Sequence, residues 1–192
     1  MDDLLTRIRA CTLCQASLPL GPRPVVQLDE RARILIVGQA PGRKVHQTGL
    51  PFNDPSGDRL RRWLGVDRAT FYTPAKFAIA PMGFCYPGTG PNGDLPPRPE
   101  CAPAWRQEIL DNLPNLELIL AIGQYAQAWH LGAKRKKNLT TTVAAWQQYW
   151  PQILPLPHPS PRNMRWFQQN PWLETEVIPI LQHRVSALLA TT

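Results

Sequence analysis

Four short apolar runs, at residues 34–37, 77–80, 116–122 and 153–156, constrain the fold more than any other feature. Each is nearly continuous in Ile, Leu, Val, Phe or Ala and too short for a buried helix, so each reads as a strand covered on both sides. The segments between them carry helical signals. Residues 3–12 bring Leu4, Ile8 and Cys11 to one face. Asp54 followed by Pro55 is a helix start; Leu60, Trp63 and Leu64 form the apolar side of that helix and Arg59, Arg61 and Arg62 its solvated side. Further helices are expected at 103–112 with Trp105 and Ile109 inward, at 124–131, and from a cap at Thr140 to residue 150. A last one falls within 171–190, where Pro179 must kink or shorten it. Residues 15–31 and 86–99 are rich in Pro or Gly and read as irregular. Strands alternating with helices imply a parallel α/β sheet with helices on both faces.

Such sheets bind ligands beyond the carboxyl ends of their strands. Three segments fall there: residues 38–52, residues 81–85, and the stretch around His158. In the first, Gly38 and Gly42 allow a ligand close to the backbone, and Pro41 fixes a turn. Read alone, Gly38-Gln39-Ala40-Pro41-Gly42 is an ordinary connection. The length of the segment and the aromatic Phe52 behind Pro51 favour a receptor for a planar polar ring, such as a nucleobase.

The chain has 192 residues and is 43% hydrophobic, which suits one domain spanning 1–192. No apolar run has the length of a membrane span, and Met1-Asp2-Asp3-Leu4 lacks the layout of a signal peptide. A cytoplasmic monomer is expected. The net charge is +7, with one dense basic run, Lys134-Arg135-Lys136-Lys137. That run reads first as a solvated loop. Sharing a face with Arg43, Lys44, Arg162 and Arg165, it would suit a polyanion.

The four cysteines are Cys11, Cys14, Cys85 and Cys101. A cytosolic chain does not normally keep structural disulfides. The close pair Cys11 and Cys14 can chelate, and the distant two can complete a four-thiolate site. Spacing leaves zinc and a [4Fe–4S] cluster both open.

The stretch Gly38-Gln39-Ala40-Pro41-Gly42, followed by Gln47-Thr48-Gly49-Leu50-Pro51-Phe52, resembles the first motif of the uracil-DNA glycosylase superfamily. Its nearest form is that of the iron–sulfur family-4 enzymes. His158-Pro159-Ser160-Pro161-Arg162-Asn163 is similar to the second motif as the single-strand-selective monofunctional uracil glycosylases carry it. The resemblance implies a three-layer α/β/α sandwich around a four-stranded parallel sheet. It also implies a [4Fe–4S] cluster on the four cysteines, with zinc as the alternative, and a partner in DNA containing uracil or another deaminated base. The implied activity is base-excision hydrolysis of the N-glycosidic bond; the alternative is a DNA- or lesion-binding protein of the same fold without catalysis.

The resemblance also assigns roles. Phe52 stacks on the base, the Gly38, Gln39 and Ala40 backbone meets a base carbonyl, and His158 donates to the oxyanion that forms on the departing base. Ser160, Arg162 and Asn163 grip phosphate and fill the space the base leaves, and Met164 offers an apolar wedge. Ala40 stands where family-1 enzymes carry the water-activating aspartate, and Gln39 where family-4 enzymes carry glutamate. Asp54 is the carboxylate closest in sequence to substitute, alongside its helix-capping role. Pro81 stands where family-4 enzymes read uracil with an asparagine, which leaves Asn53 as a replacement. His46 and His130 read as surface histidines, His46 lying within the motif loop.

Overall fold

A computed structural model of the chain describes residues 1–91 and 93–190. In chain order the elements are α1 (Asp2–Arg9), β1 (Ile34–Val37), α2 (Arg43–Thr48), α3 (Pro55–Leu64), α4 (Arg68–Phe71) and β2 (Phe77–Ile79). There follow β3 (Thr89–Gly90), β4 (Gly93–Asp94), α5 (Cys101–Asp111), β5 (Leu118–Ile122) and α6 (Gly123–Leu131). The chain closes with α7 (Leu139–Ala144), β6 (Ile153–Leu156), α8 (Met164–Gln169) and α9 (Ile178–Ala190).

β1 pairs in parallel with β2 on one side and β5 on the other, and β5 pairs with β6. The four strands run in the order β2-β1-β5-β6. Side chains alternate across the pleat. Ile34, Ile36, Phe77, Ile79, Leu120 and Leu154 pack on one face with Leu60, Trp63 and Leu64 of α3 and Leu181 and Val185 of α9. Leu35, Val37, Ala78, Ala80 and Ala121 pack on the other with Leu4 and Ile8 of α1, Ala102 and Ile109 of α5 and Ala126 of α6. This is the expected three-layer α/β/α sandwich. The β1–β2 connection uses the first face, and α5 and α6, ahead of β5 and β6, use the second, as right-handed crossovers in opposite directions require, while α7 before β6 packs against the first. The carboxyl end of β1 therefore lies at a reversal of strand order, where open sheets leave a crevice.

Several elements differ from the sequence reading. Residues 86–99 are not wholly irregular: β3 and β4 form a small antiparallel hairpin, because Gly90 and Gly93 flank its turn. The cap expected at Thr140 is one helical start earlier, at Asn138, whose side chain accepts from the Thr141 amide at 2.9 Å in a reciprocal capping box. Helix α1 ends at Arg9, so Cys11 lies beyond the helix and not on its face. Helices α2 and α4 were not expected. Pro179 falls in the first turn of α9, after a π-helical turn over Leu173–Val177; there its missing N–H costs least. Arg61, expected on a solvated side, is buried, for a reason that lies at the pocket. Among the described residues no helix is long and apolar enough to cross a membrane.

Candidate active site

Phe52 sits where the chain turns from the loop after α2 into α3. Its φ is 54°, a region that bulky residues avoid. Such strain persists only where the surroundings over-determine it, and here they do. The buried Arg61 donates from Nη1 to the Phe52 carbonyl at 3.3 Å and from Nη2 to Asp58 at 2.5 Å. Its guanidinium lies 5.3 Å from the Phe71 ring and 5.9 Å from the Tyr72 ring. The Tyr72 hydroxyl donates to the Pro51 carbonyl at 2.9 Å, and Phe71 meets the Phe52 ring edge-on at 6.4 Å. Glycine is required at 57, since a Cβ there would stand 1.7 Å from the Phe52 carbonyl oxygen. Asp54 caps α3 by accepting from the Gly57 amide at 2.9 Å.

The Phe52 ring thus lies across Gly38, whose missing Cβ would be 3.1 Å from Cζ. Beneath it opens a small cavity at the carboxyl end of β1. Gly38, Gln39 and Ala40 line it on one side with Phe52, Asp54, Pro81 and His158, among others. The segment after β2 is sewn to the first loop: the Met82 amide donates to Gly38 at 2.9 Å and the Gly83 amide to Gln39 at 3.0 Å. Among the described residues the amides of Gln39 and Ala40 have no acceptor. The Gln39 side chain donates to the Leu95 carbonyl at 3.0 Å and so latches the β3–β4 hairpin to the motif loop.

His158 follows β6 and is half-buried. Its ring faces Phe52, with centroids 6.5 Å apart and planes at 29°. Burial pulls the imidazole below its ordinary value of 6.5, against the opposing pull of the Asp54 and Asp94 carboxylates. The ring is therefore neutral at neutral pH. Asn163 donates from Nδ2 to the His158 carbonyl at 2.8 Å, and Ser160 accepts from the Arg162 amide at 3.2 Å. These contacts fix the shape of the second motif. Arg162 is exposed and packs against Gly93 of the hairpin. Met164 is exposed, with Arg59 Nη2 3.0 Å from its sulfur.

One expected pocket residue lies elsewhere, and two histidines read as surface groups are buried or half-buried. Asn53 does not line the cavity; its side-chain oxygen accepts from Arg68 at 2.9 Å. His46 is on α2, half-buried beside Tyr86 and outside the cavity lining, where burial and Arg23 depress its imidazole. His130 is not a surface histidine. Its Nε2 is buried without a hydrogen-bond partner, and burial together with Arg106 pushes the imidazole down to about 3.

The four cysteines line a second small cavity, walled also by Phe84, Arg98 and Trp105. All four are free thiols. Burial raises Cys101 to about 12 and Cys85 to about 11. The Phe84 amide donates to Cys101 Sγ at 3.4 Å. Among the described residues no three Cys, His, Asp or Glu side chains converge at the spacing of a single metal ion.

Three residues that matter here carry no signal in the sequence. Arg61 positions Phe52. Asp94, on the hairpin, has Oδ2 3.4 Å from where a Gly42 Cβ would stand and accepts from the Thr89 hydroxyl at 3.2 Å. Arg106, fully buried on α5, donates to the Ala80 and Pro81 carbonyls behind the pocket. Arg61 and Arg106 act through carbonyls of other segments, and Asp94 acts from a hairpin that the local sequence does not show.

The basic residues divide between two rims. Arg43 and Arg162 border the hairpin on the pocket rim. Residues 134–137 follow α6, which carries the chain back to the amino edge of the sheet. There the Tyr149 hydroxyl donates to the Lys134 carbonyl at 2.9 Å, just ahead of β6.

Residues 25–182 match the sequence profile of the Uracil DNA glycosylase superfamily. The match runs from the approach to β1 into α9 and takes in every wall of the Phe52–His158 pocket, and on that ground the chain belongs to the uracil-DNA glycosylase superfamily.

Proposed function

We propose that the protein is a monofunctional DNA glycosylase that hydrolyses the N-glycosidic bond of uracil or another deaminated base. The observation that carries this reading is Phe52 and His158 facing each other across one cavity at the carboxyl rim. The base must leave the helix stack to reach such a cavity. It stacks on Phe52, and a base carbonyl accepts from the Gln39 and Ala40 amides. As the bond to C1′ breaks, its electron pair moves onto the base. Neutral His158 donates to the oxygen where that charge collects, an interaction made only in the transition state. The sugar cation is captured by water, whose proton passes to a carboxylate at the mouth. Asp54 lines the cavity and is the first choice; Asp94 is the second carboxylate acting on His158. Pro81 offers the base no side-chain hydrogen bond, so backbone groups read the edge, which suits more than one deaminated base. Arg43 and Arg162 flank the opening and suit the DNA phosphates.

The donor set at the second cavity fits a [4Fe–4S] cluster held by Cys11, Cys14, Cys85 and Cys101. Cys11, Cys14, Cys85 and Cys101 line one cavity and would supply four thiolates, a donor set that suits a [4Fe–4S] cluster, with zinc as the alternative. The N–H to sulfur bond from Phe84 to Cys101 suits a thiolate. The cluster would tie the segment after α1 to the loop before α5 and takes no part in the hydrolysis. Anaerobically prepared protein should be brown and lose that colour in Cys85→Ser. Colourless protein with stoichiometric zinc would overturn iron, and metal-free protein would overturn the centre.

The activity is tested with oligonucleotides carrying uracil or hypoxanthine, single- and double-stranded, followed by alkali. Strand scission at the lesion is expected. Tight lesion binding with no scission would select the non-catalytic reading instead.

A further inference from the structure

We propose that Arg106 is a positioning residue for the departing base: a buried cation that keeps the rear wall of the pocket electrostatically receptive to an anion. The proposal rests on the glycosylase reading and deepens it.

Arg106 is 1% exposed. None of the ion pairs among the described residues includes it. Burial lowers the guanidinium only to about 10, so it is a cation at neutral pH. Cys101 acts on it electrostatically but no carboxylate among the described residues pairs with it, and a buried cation without a carboxylate is costly enough that a protein does not accumulate one by default. Nη2 donates to the Ala80 carbonyl at 2.9 Å and to the Pro81 carbonyl at 2.6 Å. Nε and Nη1 are buried with no hydrogen-bond partner. Pro81 is itself a wall of the pocket. Room for the side chain comes from the small residues on this face of the sheet, Ala78, Ala80 and Ala121.

Two consequences follow for a base that leaves as an anion. First, the negative ends of two peptide dipoles point at Arg106 instead of into the pocket. Second, the cation stands one peptide away from the base, within an interior that screens it weakly. Both effects grow with the negative charge on the base, so they act on the transition state more than on the bound substrate. They matter least for a base whose anion is already stable.

The test compares uracil with 5-fluorouracil, a better leaving group, in one oligonucleotide under single-turnover conditions. Wild type, Arg106→Gln and Arg106→Lys are measured. Arg106→Gln should slow uracil release by about 10²-fold and 5-fluorouracil release by about tenfold, with Lys recovering part of the difference. Equal losses on the two bases would show a structural role only and overturn the proposal. If the Gln variant does not fold, the Lys variant gives the same reading: unequal losses support the proposal and equal losses overturn it. Wild-type protein that releases neither base would sink the glycosylase reading itself, a result distinct from the other two.

Discussion

The two faces of the sheet are built from the same four strands and do different work. On the α3/α9 face the strands present Ile34, Ile36, Phe77, Ile79, Leu120 and Leu154, all fully buried, and the charge buried on that side, Arg61 of α3, is bound to the Phe52 carbonyl and Asp58. On the α1/α5/α6 face β2 and β5 present alanines, and buried polar groups occupy the space. Arg106 reaches Ala80 and Pro81 there, and Gln127 donates to the Leu156 carbonyl at 3.0 Å, two residues ahead of His158. The thiols lie on this side as well, with Cys101 packed among its apolar residues. Large side chains seal most of one face, with Arg61 buried at its pocket end to hold Phe52. Small ones open the other to groups that hold strand-end carbonyls in place beneath the pocket.

The widest expected effect tests the sealed face. Leu120→Ala should cost about 2–5 kcal/mol in denaturant unfolding, the range for a buried leucine with no room to collapse. The rate of base release by the folded variant should stay near wild type. A folded Leu120→Ala protein with slow chemistry would break the division between the faces.

His158→Ala comes next and tests the pocket. Loss of one donor to a developing oxyanion costs about two to three orders of magnitude in rate, with DNA affinity nearly unchanged. His158→Asn should fall in between. Because burial depresses the imidazole, the wild-type rate should be flat from neutrality upward and fall only below the ordinary imidazole range. A rate that drops above neutrality would mean that the imidazolium is the working form.

Much of this division was legible in the chain. Four apolar runs with helices between them dictate the parallel sheet, and strand order puts residues 38–52, 81–85 and His158 on one rim. The alternation of Ile34, Leu35, Ile36 and Val37 shows two faces. The buried arginines did not show. Arg61 reads as part of a solvated helix side and Arg106 carries no reading of its own, and the carbonyls that draw them inward, Phe52 for one and Ala80 and Pro81 for the other, come from other segments. The hairpin that carries Asp94 is two residues per strand, too short for any periodicity.

A smaller effect sharpens the contrast. His130 lies on the polar face with its imidazole held down to about 3 by burial and Arg106. Its neutral form is the one the fold accepts, so the stability it contributes is whole above the ordinary value of 6.5. That stability is lost as pH falls toward 3, at no more than about 1.4 kcal/mol per pH unit. Urea midpoints should decline across that window and flatten in His130→Gln. An unchanged slope in the variant would place the acid sensitivity elsewhere.

The smallest effect expected concerns Lys136 and Lys137. Charge alone would make residues 134–137 the obvious DNA contact, since no other run is so basic. Topology argues otherwise. β5 ends at the pocket rim and α6 runs back from it, so this run lies at the amino edge, beside the start of β6. Arg162 instead packs against the hairpin at the pocket rim. Each lost phosphate contact reduces the slope of log binding constant against log salt by about one. Arg162→Ala should show that loss on lesion DNA, and the double substitution Lys136→Ala, Lys137→Ala should leave the slope where it is. The comparison is between two kinds of cation in one protein, so errors in salt activity cancel. A flattened slope in the lysine pair with Arg162→Ala unchanged would reverse the assignment and move the DNA path onto the amino edge of the sheet.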